Sequence, residues 1–257
     1  MEFEDNYEHP LSNVFYFPKN MVTKEAESLY NYNLAGCNCY KQCTLESNCS
    51  CIIRSGTYYK YQAAVNLEGY SIEGKNNSCS YECNSNCKCG EFCGNRLVQY
   101  GPRKDLVVKP TSNKGLGLFS NNKIPKGCFV CEYAGEIITE VEANSRFEAN
   151  KHKPNYIFCI KETYAEKTIK TYIDPTFYGN IGRYINHSCE PNTKLFIFRI
   201  EDTVPILGIF SDEDIPEGNE ITYSYGTVDI NNKSGKKCYC GNKGEKYIYS
   251  PPHLSVL

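Results

Sequence analysis

Short runs of β-branched and aromatic residues dominate the chain between residues 105 and 226. Clear examples lie at residues 129–133, 194–199 and 220–223, and Gly, Pro and Asn residues separate the runs. Runs of this length, with turn-forming residues between them, are typical of β-strands. The pattern therefore predicts one mostly β domain that is built from short sheets.

One helix is predicted over residues 139–150, where Thr139 and Glu142 have the spacing of a capping box. The helix has no strong apolar face, so we expect it on the surface. Residues 117–127 and 208–218 resemble each other, and each pattern indicates a strand end, a Pro-x-Gly turn and a new strand. Two copies indicate related β-units within one domain rather than a solenoid.

The pattern predicts four regions along the chain. Residues 1–36 are polar and tyrosine-rich without clear periodicity, and we expect a loosely structured lead-in. Residues 37–101 contain clustered cysteines and few large apolar residues, so metal must replace a core there. The β domain is expected over residues 102–226, and residues 227–257 form a polar tail with a Cys-x-Cys pair.

Charge and hydropathy exclude several classes of protein. The formal net charge is −2, which argues against a domain that binds nucleic acid through a large net positive charge. We also expect no sequence-specific nucleic-acid binding. Local acidic patches can still attract a basic peptide. No run of eighteen apolar residues predicts a membrane span, and the acidic first ten residues do not resemble a signal peptide.

Sixteen cysteines change this picture most. Dense Cys-x-Cys pairs, without an export signal, favour zinc sites in a reducing compartment over a secreted disulfide framework. The nine clustered thiols are Cys37, Cys39, Cys43, Cys49, Cys51, Cys83, Cys87, Cys89 and Cys93.

The number of clustered cysteines predicts how many zinc ions they bind. Each zinc takes four ligands, so two separate sites would use eight of the nine thiolates and leave one unused. Three zinc ions need twelve ligand positions, which nine thiolates provide if three of them bridge two metals each. We therefore predict a closed, structural trinuclear cluster, without which this region is unfolded.

Four motifs follow these clusters in order: Lys-Gly-Leu-Gly at 114–117, Cys-Glu-Tyr-Ala-Gly-Glu at 131–136, Gly-Asn-Ile-Gly-Arg-Tyr-Ile-Asn-His-Ser-Cys-Glu-Pro-Asn at 179–192, and Glu-Ile-Thr-Tyr-Ser-Tyr-Gly at 220–226. Together they resemble SET-domain histone-lysine N-methyltransferases with a pre-SET zinc module, over residues 37–240. The resemblance implies a mostly β SET domain of short sheets with a threaded pseudoknot, an irregular Cys-rich pre-SET module and a short post-SET tail.

The resemblance also implies an activity, namely methyl transfer from S-adenosylmethionine to a lysine of histone H3, of the lysine-nine or lysine-thirty-six type. Tyr225 is then the catalytic tyrosine, and Tyr133 lines the lysine channel. Tyr223 matches a position where the family has Phe or Tyr, and its hydroxyl implies mono- or dimethylation. The implied cofactor-binding residues are Lys114, Gly115, Leu116, Gly117, Tyr156, Arg183, Asn186 and His187.

Several of these residues have simpler interpretations when they are taken alone. A Gly-x-Gly sequence such as Gly115 to Gly117 more often marks a turn. The side chain of His187 could serve only to pair polar groups within its loop. With 22 tyrosines in the chain, only their positions in the motifs distinguish the three candidates.

A fourth zinc is implied at the post-SET tail, with Cys189, Cys238 and Cys240 as ligands. Glu245 stands where the last cysteine is expected. Either this carboxylate substitutes, or an outside ligand completes the site, or the site is weak or empty. That zinc would anchor the tail that closes one wall of the substrate channel, so this departure bears on activity.

The sequence is therefore compatible with three functions of this protein. The first is an active methyltransferase whose partners are the histone H3 tail and the nucleosome, in the nucleus on chromosomes. The second is a catalytically weak or inactive SET protein that acts as a chromatin-binding scaffold. The third, a zinc-cluster DNA binder, is disfavoured by the absence of net basic charge.

Overall fold

The computed structural model describes residues 5–30, 32–61, 70–74, 79–150, 153–228, 236–241, 247–248 and 253–256. In chain order the elements are β1 (Phe15–Tyr16), β2 (Met21–Val22), α1 (Ser50–Ser55), β3 (Thr57–Tyr61), β4 (Tyr70–Gly74), β5 (Ser80–Tyr81), β6 (Leu106–Pro110), β7 (Leu116–Ser120), β8 (Phe129–Tyr133), β9 (Gly135–Ile138), α2 (Glu140–Ala149), β10 (Phe158–Tyr164), β11 (Lys167–Gly179), β12 (Asn186–His187), β13 (Thr193–Arg199), β14 (Ile206–Ser211), β15 (Glu220–Tyr223), β16 (Thr227–Val228), β17 (Lys236–Lys237), β18 (Tyr247–Ile248) and β19 (His253–Val256). Turns of 3-10 helix lie at Glu27–Leu29, Val98–Tyr100 and Ile181–Tyr184. The predicted class, mostly β with short sheets, is confirmed.

Three sheets contribute to the main hydrophobic core. Their strand orders are β19-β10-β11-β9-β2, with β1 also on β11; β12-β15-β7-β6; and β5-β13-β14-β8. The fully buried residues Ile173, Leu118 and Ile209 come from these three sheets in turn and belong to one apolar cluster. Segments that are distant in the sequence therefore meet around one core.

The two similar segments lie against each other with reciprocal backbone hydrogen bonds. The N–H of Ile124 donates to the carbonyl of Ile215, and the N–H of Ile215 donates back to Ile124, at 2.9 and 2.8 Å. Gly127 donates to Ser211 at 2.8 Å, and Gly218 donates to Ser120 at 2.9 Å. The two β-units inferred from the sequence thus form a pseudo-symmetric pair inside one domain.

Helix α2 confirms the predicted helix, with Thr139 before its first residue and Asn150 after its last. The backbone N–H of Glu142 donates to the Thr139 hydroxyl at 3.2 Å, and the Glu142 carboxylate accepts from the Thr139 N–H at 2.8 Å. Ala143 is the buried residue of the helix. The helix therefore lies on the surface, as the weak apolar face predicted.

The lead-in differs from the loosely structured segment that we expected. β1 pairs in parallel with β11, and β2 pairs in parallel with β9. Ala26 is fully buried in the main core. Strands of two residues are held through backbone hydrogen bonds and leave no periodicity of side chains, which is why the sequence pattern did not reveal them.

The cysteine-rich region and the central domain share a sheet, because β5 pairs in parallel with β13. The N–H of Glu82 extends this contact by donating to the carbonyl of Arg199 at 3.2 Å. In the tail, β16, β18 and β17 form a small sheet, and β19 adds in parallel to β10. The helices in the described ranges are all too short or too polar to cross a bilayer.

Candidate active site and metal centres

Four aromatic rings cluster where β8 and β15 end and β10 begins. Ring centroids of Tyr133 and Phe158 lie 5.7 Å apart, and both lie near Tyr223, at 6.2 and 5.9 Å. Tyr225 completes the cluster at 4.7 Å from Tyr223. The structure therefore brings together all three candidate catalytic tyrosines.

Two hydroxyls of this cluster donate to backbone carbonyls. Tyr133 donates to the carbonyl of Tyr156 at 2.5 Å, and Tyr225 donates to the carbonyl of Ile185 at 2.9 Å. Burial raises the pKa of Tyr133, Tyr223 and Tyr225 above the ordinary tyrosine value. All three hydroxyls therefore stay protonated at neutral pH and are available as hydrogen-bond donors or acceptors rather than as bases.

Glu220 forms hydrogen bonds with two of the candidate cofactor-binding residues. Its carboxylate accepts from Lys114 Nζ at 2.6 Å and from Asn186 Nδ2 at 2.9 Å. Asn186 Nδ2 also donates to the carbonyl of Leu116 at 2.9 Å. A Cβ at Gly117 would lie 2.8 Å from Glu220 Oε1, so glycine lets the Glu220 carboxylate approach the backbone closely at this point.

Gly115 has φ of +73°, a left-handed conformation that favours glycine. Gly115 therefore lies in a turn, as a Gly-x-Gly sequence taken alone suggested, and this turn is next to the candidate cofactor-binding residues.

Arg183 and Tyr156 form the other part of the candidate pocket. The guanidinium carbon of Arg183 lies 4.3 Å from the centroid of the Tyr156 ring, and its Nε donates to the carbonyl of Pro175 at 3.0 Å. A cleft of 660 Å³ opens beside these two residues, and helix α2 also lines it. Arg183 both braces the loop and faces a space that could hold a ligand.

His187 links the candidate pocket to the tyrosine cluster. Its Nδ1 accepts from the backbone N–H of Tyr225 at 3.0 Å, and the two rings meet edge to face at 5.4 Å. β12 carries Asn186 and His187 and pairs in parallel with β15, opposite Thr222 and Tyr223. The Asn-His motif and the C-terminal tyrosines are therefore adjacent, as the resemblance required.

Two residues of the candidate site, Phe158 and Glu220, were not among the residues predicted from the sequence. Phe158 is fully buried and begins β10, two residues after Tyr156. Its position in the same short aromatic run was the one available signal. Glu220 lies within a quoted motif, but its role depends on the antiparallel pairing of β15 with β7, which the sequence does not show.

The nine clustered cysteines converge on one sulfur-rich centre. Sγ–Sγ distances include 3.6 Å for Cys37 and Cys43, 3.7 Å for Cys43 and Cys83, and 3.7 Å for Cys51 and Cys87. Every cysteine of the chain is a free thiol, and these distances far exceed a disulfide bond of about 2.05 Å. The disulfide framework is therefore excluded.

These distances suit zinc. A tetrahedron with Zn–S bonds of about 2.3 Å has edges of about 3.8 Å. Three groups of four sulfurs lie close enough to share an ion, and Cys37 belongs to all three. Sharing of sulfurs between groups is what a bridged cluster needs. The residues thus fit zinc, while the number of ions stays a prediction.

The tail thiols form a second, smaller group. The sulfurs of Cys189 and Cys238 are 3.7 Å apart, and the N–H of Cys240 donates to the Cys238 sulfur at 3.3 Å. His187 Nε2 lies 3.3 Å from the Cys189 sulfur. Glu245 lies outside the described residues. His187, Cys189 and Cys238 therefore lie close enough together to share an ion, and Cys240 contacts Cys238 through its backbone. The binding of a metal by Cys240 and the identity of the last ligand stay predictions.

Known proteins share these features. Residues 115–226 match the SET domain, and residues 2–96 match the Pre-SET motif, which begins earlier than the boundary we predicted. The probable histone-lysine N-methyltransferase set-23 of Caenorhabditis briggsae is 38% identical over 223 residues, covering 85% of this chain and 89% of that protein.

Solved structures agree with this assignment. The methyltransferase domain of human histone-lysine N-methyltransferase SETMAR superposes with a TM-score of 0.77 at 32% identity, covering 98% of this chain and 93% of that one. KRYPTONITE in complex with mCHH DNA, H3(1-15) peptide and SAH gives a TM-score of 0.71 at 26% identity, covering 96% of this chain and 50% of that one. Fold, motifs and relatives agree, and the chain belongs to the SET-domain family of S-adenosylmethionine-dependent histone-lysine methyltransferases.

Proposed function

We propose that this chain transfers a methyl group from S-adenosylmethionine to a lysine of histone H3, of the lysine-nine or lysine-thirty-six type. The KRYPTONITE complex supports an H3 substrate, because its bound segment spans position nine. We accordingly propose that the enzyme acts on nucleosomes, in the nucleus and on chromosomes.

The cluster of Tyr133, Phe158, Tyr223 and Tyr225 carries the proposal. The reaction needs a neutral amine, whereas a lysine has an ordinary pKa of about 10.4. Close-packed rings exclude water and disfavour the ammonium form by desolvation. A channel between these rings would therefore deliver the lysine without its proton, which leaves to water beforehand.

Methyl transfer is an in-line displacement at carbon. The amine nitrogen bonds to the methyl carbon while the carbon–sulfur bond breaks, and the bonding electron pair goes to sulfur. S-adenosylmethionine supplies the electrophilic methyl group when it is bound. Because the Tyr225 hydroxyl donates to Ile185, its oxygen can accept an N–H of the amine and align the nitrogen.

The chain's other candidate residues would hold the cofactor. Lys114, Asn186 and Glu220 form a connected polar group beside the close approach at Gly117. Arg183, stacked on Tyr156, could bind a carboxylate at the cleft.

We further propose that the product is mono- or dimethyllysine. Tyr223 is 1% exposed and lies between Tyr133 and Tyr225. Its hydroxyl occupies space that further methyl groups would need, above all a third one, and it can hold a water molecule there. Dominant trimethyl product from the wild-type enzyme would contradict this.

Labelled-methyl transfer to H3 peptides tests the function. Separate peptides contain lysine nine or lysine thirty-six as their target, with arginine in the other position. Wild type, Tyr225→Phe and the exposed control Tyr32→Phe are compared. We expect Tyr225→Phe to lose about 100-fold in kcat through misalignment, and Tyr32→Phe to match wild type.

Two results would overturn the proposal. Equal labelling by wild type and Tyr225→Phe would remove Tyr225 from its role. Zinc-loaded wild type that labels neither peptide would instead favour the chromatin-binding scaffold, and calorimetry with S-adenosylmethionine would then show whether cofactor binding is also lost.

A further inference from the structure

The imidazole of His187 lies between the tail thiols and Tyr225. It is 5% exposed, so its two nitrogens must find partners inside the protein. Nε2 lies 3.3 Å from the sulfur of Cys189, and Nδ1 lies 3.0 Å from the backbone nitrogen of Tyr225. One ring therefore touches a candidate metal ligand at one end and the candidate catalytic tyrosine at the other.

Nε2 could either bind a metal or donate a hydrogen bond to Cys189, and the hydrogen bond at Nδ1 decides between these two roles. His187, Cys189 and Cys238 lie within 4.8 Å of one another, close enough to share an ion. A backbone N–H can only donate, so Nδ1 must present its lone pair to Tyr225. A neutral imidazole carries one proton, which is then on Nε2. Protonated Nε2 cannot bind a metal, and it donates to the Cys189 sulfur instead.

We propose that His187 is a positioning residue that couples the tail metal site to Tyr225, an inference that rests on the proposed function. Its Nε2–H donates to the Cys189 thiolate, and its Nδ1 fixes the backbone of Tyr225. Metal binding converts the Cys189 thiol to a thiolate, which is the stronger acceptor. The loaded site thereby strengthens the bond from Nε2–H to the Cys189 sulfur and holds the ring in its orientation, as partners of metal ligands do elsewhere.

Tyr225 is then held from two sides. Its backbone N–H is fixed by His187, and its hydroxyl is fixed by the carbonyl of Ile185, two residues before His187 in the same loop. Since His187 is not a ligand, the fourth ligand of the tail metal must come from another group. The proton stays on Nε2 throughout, so His187 takes no part in proton transfer.

Two substitutions separate the two hydrogen bonds. In His187→Asn the side-chain oxygen can replace Nδ1 as acceptor for Tyr225, while the donor to Cys189 is lost. In His187→Gln the amide nitrogen can replace the Nε2 donor, while the acceptor for Tyr225 is lost. We expect His187→Asn to weaken zinc binding at the tail by about 10-fold or more. We expect His187→Gln to keep that zinc and to lower kcat.

Zinc affinity is measured by competition with a chromogenic chelator, and kcat and KM are measured with H3 peptide. Equal loss of zinc by both variants, or wild-type kcat in His187→Gln, would overturn the proposal.

A spectroscopic test on the wild-type chain does not depend on how the variants fold. After loading with ¹¹³Cd, ¹⁵N spectra of the histidine rings should show a proton on Nε2 of His187 and no coupling of that nitrogen to cadmium. A bare Nε2 that couples to cadmium would make His187 a ligand and overturn the proposal. If wild type labels no H3 peptide, the proposed function fails, whereas these spectra still decide the role of His187.

Discussion

Tyr223 and Tyr225 lie with their ring centroids 4.7 Å apart and their planes tilted by 39°. Tyr223 is almost fully buried at this position, so its hydroxyl occupies the inside of the cluster rather than solvent. Replacing it by Phe removes one oxygen and leaves the ring in place. Tyr223→Phe is therefore expected to shift the product toward higher methylation.

Mass spectrometry of methylated H3 peptide measures this shift, at matched extents of reaction. The first methyl transfer should change little, because the amine-aligning hydroxyl of Tyr225 is intact. Tyr172→Phe, outside the cluster, serves as the control. An unchanged ratio of mono-, di- and trimethyl products would show that the Tyr223 hydroxyl does not limit methylation.

Zinc removal should unfold the cysteine-rich region selectively. Among the described residues, Ile52 is the one member of its buried cluster that is not a cysteine, so no apolar core remains without metal. Each structural zinc supplies on the order of 10 kcal/mol to folding. A chelator under reducing conditions should therefore make residues 37–96 sensitive to limited proteolysis, and added zinc should restore resistance.

The amount of zinc released tests the trinuclear prediction. The variant Cys238→Ser/Cys240→Ser removes two ligands of the tail site and leaves the cluster intact. Three zinc ions per chain are expected in this variant. Two per chain would mean separate sites with an unused thiol.

Glu132 should make stability fall with rising pH. This carboxyl is buried, and its Oε1 has no hydrogen-bond partner in the described part of the chain. Burial raises its pKa to about 8 from 4.5. Below pH 4.5 both folded and unfolded states hold the proton. Between pH 4.5 and about 8 the unfolded state releases it first, so stability falls by about 1.4 kcal/mol per pH unit.

Glu132→Gln keeps the shape of the side chain and is neutral at every pH, so its stability should not fall as the pH rises. The difference in Tm between this variant and wild type should therefore grow as pH rises from 5 to about 8. The exposed Glu213→Gln is the matched control. A constant difference across this range would show that Glu132 is ionised throughout.

Arg146 should stabilise the attachment of helix α2. Its Nη1 lies 2.7 Å from carboxylate oxygens of both Glu136 on β9 and Asp174 on β11. The Asp174 side chain is 2% exposed, so Arg146→Ala leaves a buried charge without its cation. We expect a loss of about 3 kcal/mol in the free energy of unfolding, measured with urea.

A double-mutant cycle isolates this interaction. Asp174→Asn removes the charge that Arg146 neutralises, so the double variant should be less destabilised than the sum of the single variants. Additive effects would mean that Arg146 stabilises the fold through contacts other than this ion pair.

Patterns in the sequence predicted those parts of the structure that depend on residues close together in the chain or on the spacing of cysteines. The capping box of α2 involves residues three apart, and the convergence of the nine thiols follows from their metal-like spacing. The proximity of His187 to Tyr225 came from the family resemblance. The assigned roles of these residues in catalysis and cofactor binding stay predictions.

Other parts depended on pairing between distant strands. Glu220 gathers Lys114 and Asn186 only because β15 lies between β7 and β12. The strands of the lead-in are too short to leave a side-chain pattern. Phe158 could be distinguished from the other buried phenylalanines only by knowing which rings face Tyr133 and Tyr223.

The pairing of β5 with β13 limits how this chain can be divided. A fragment that starts at residue 102 would lack β5 and leave the backbone groups of Phe198 and Arg199 without their strand partner. The strand end uncovered in this way begins at Phe198, which is buried in the intact chain, and an unpaired strand end of this kind favours pairing with a second molecule. Such a truncated catalytic half is expected to aggregate, so the zinc module also protects the enzyme's solubility.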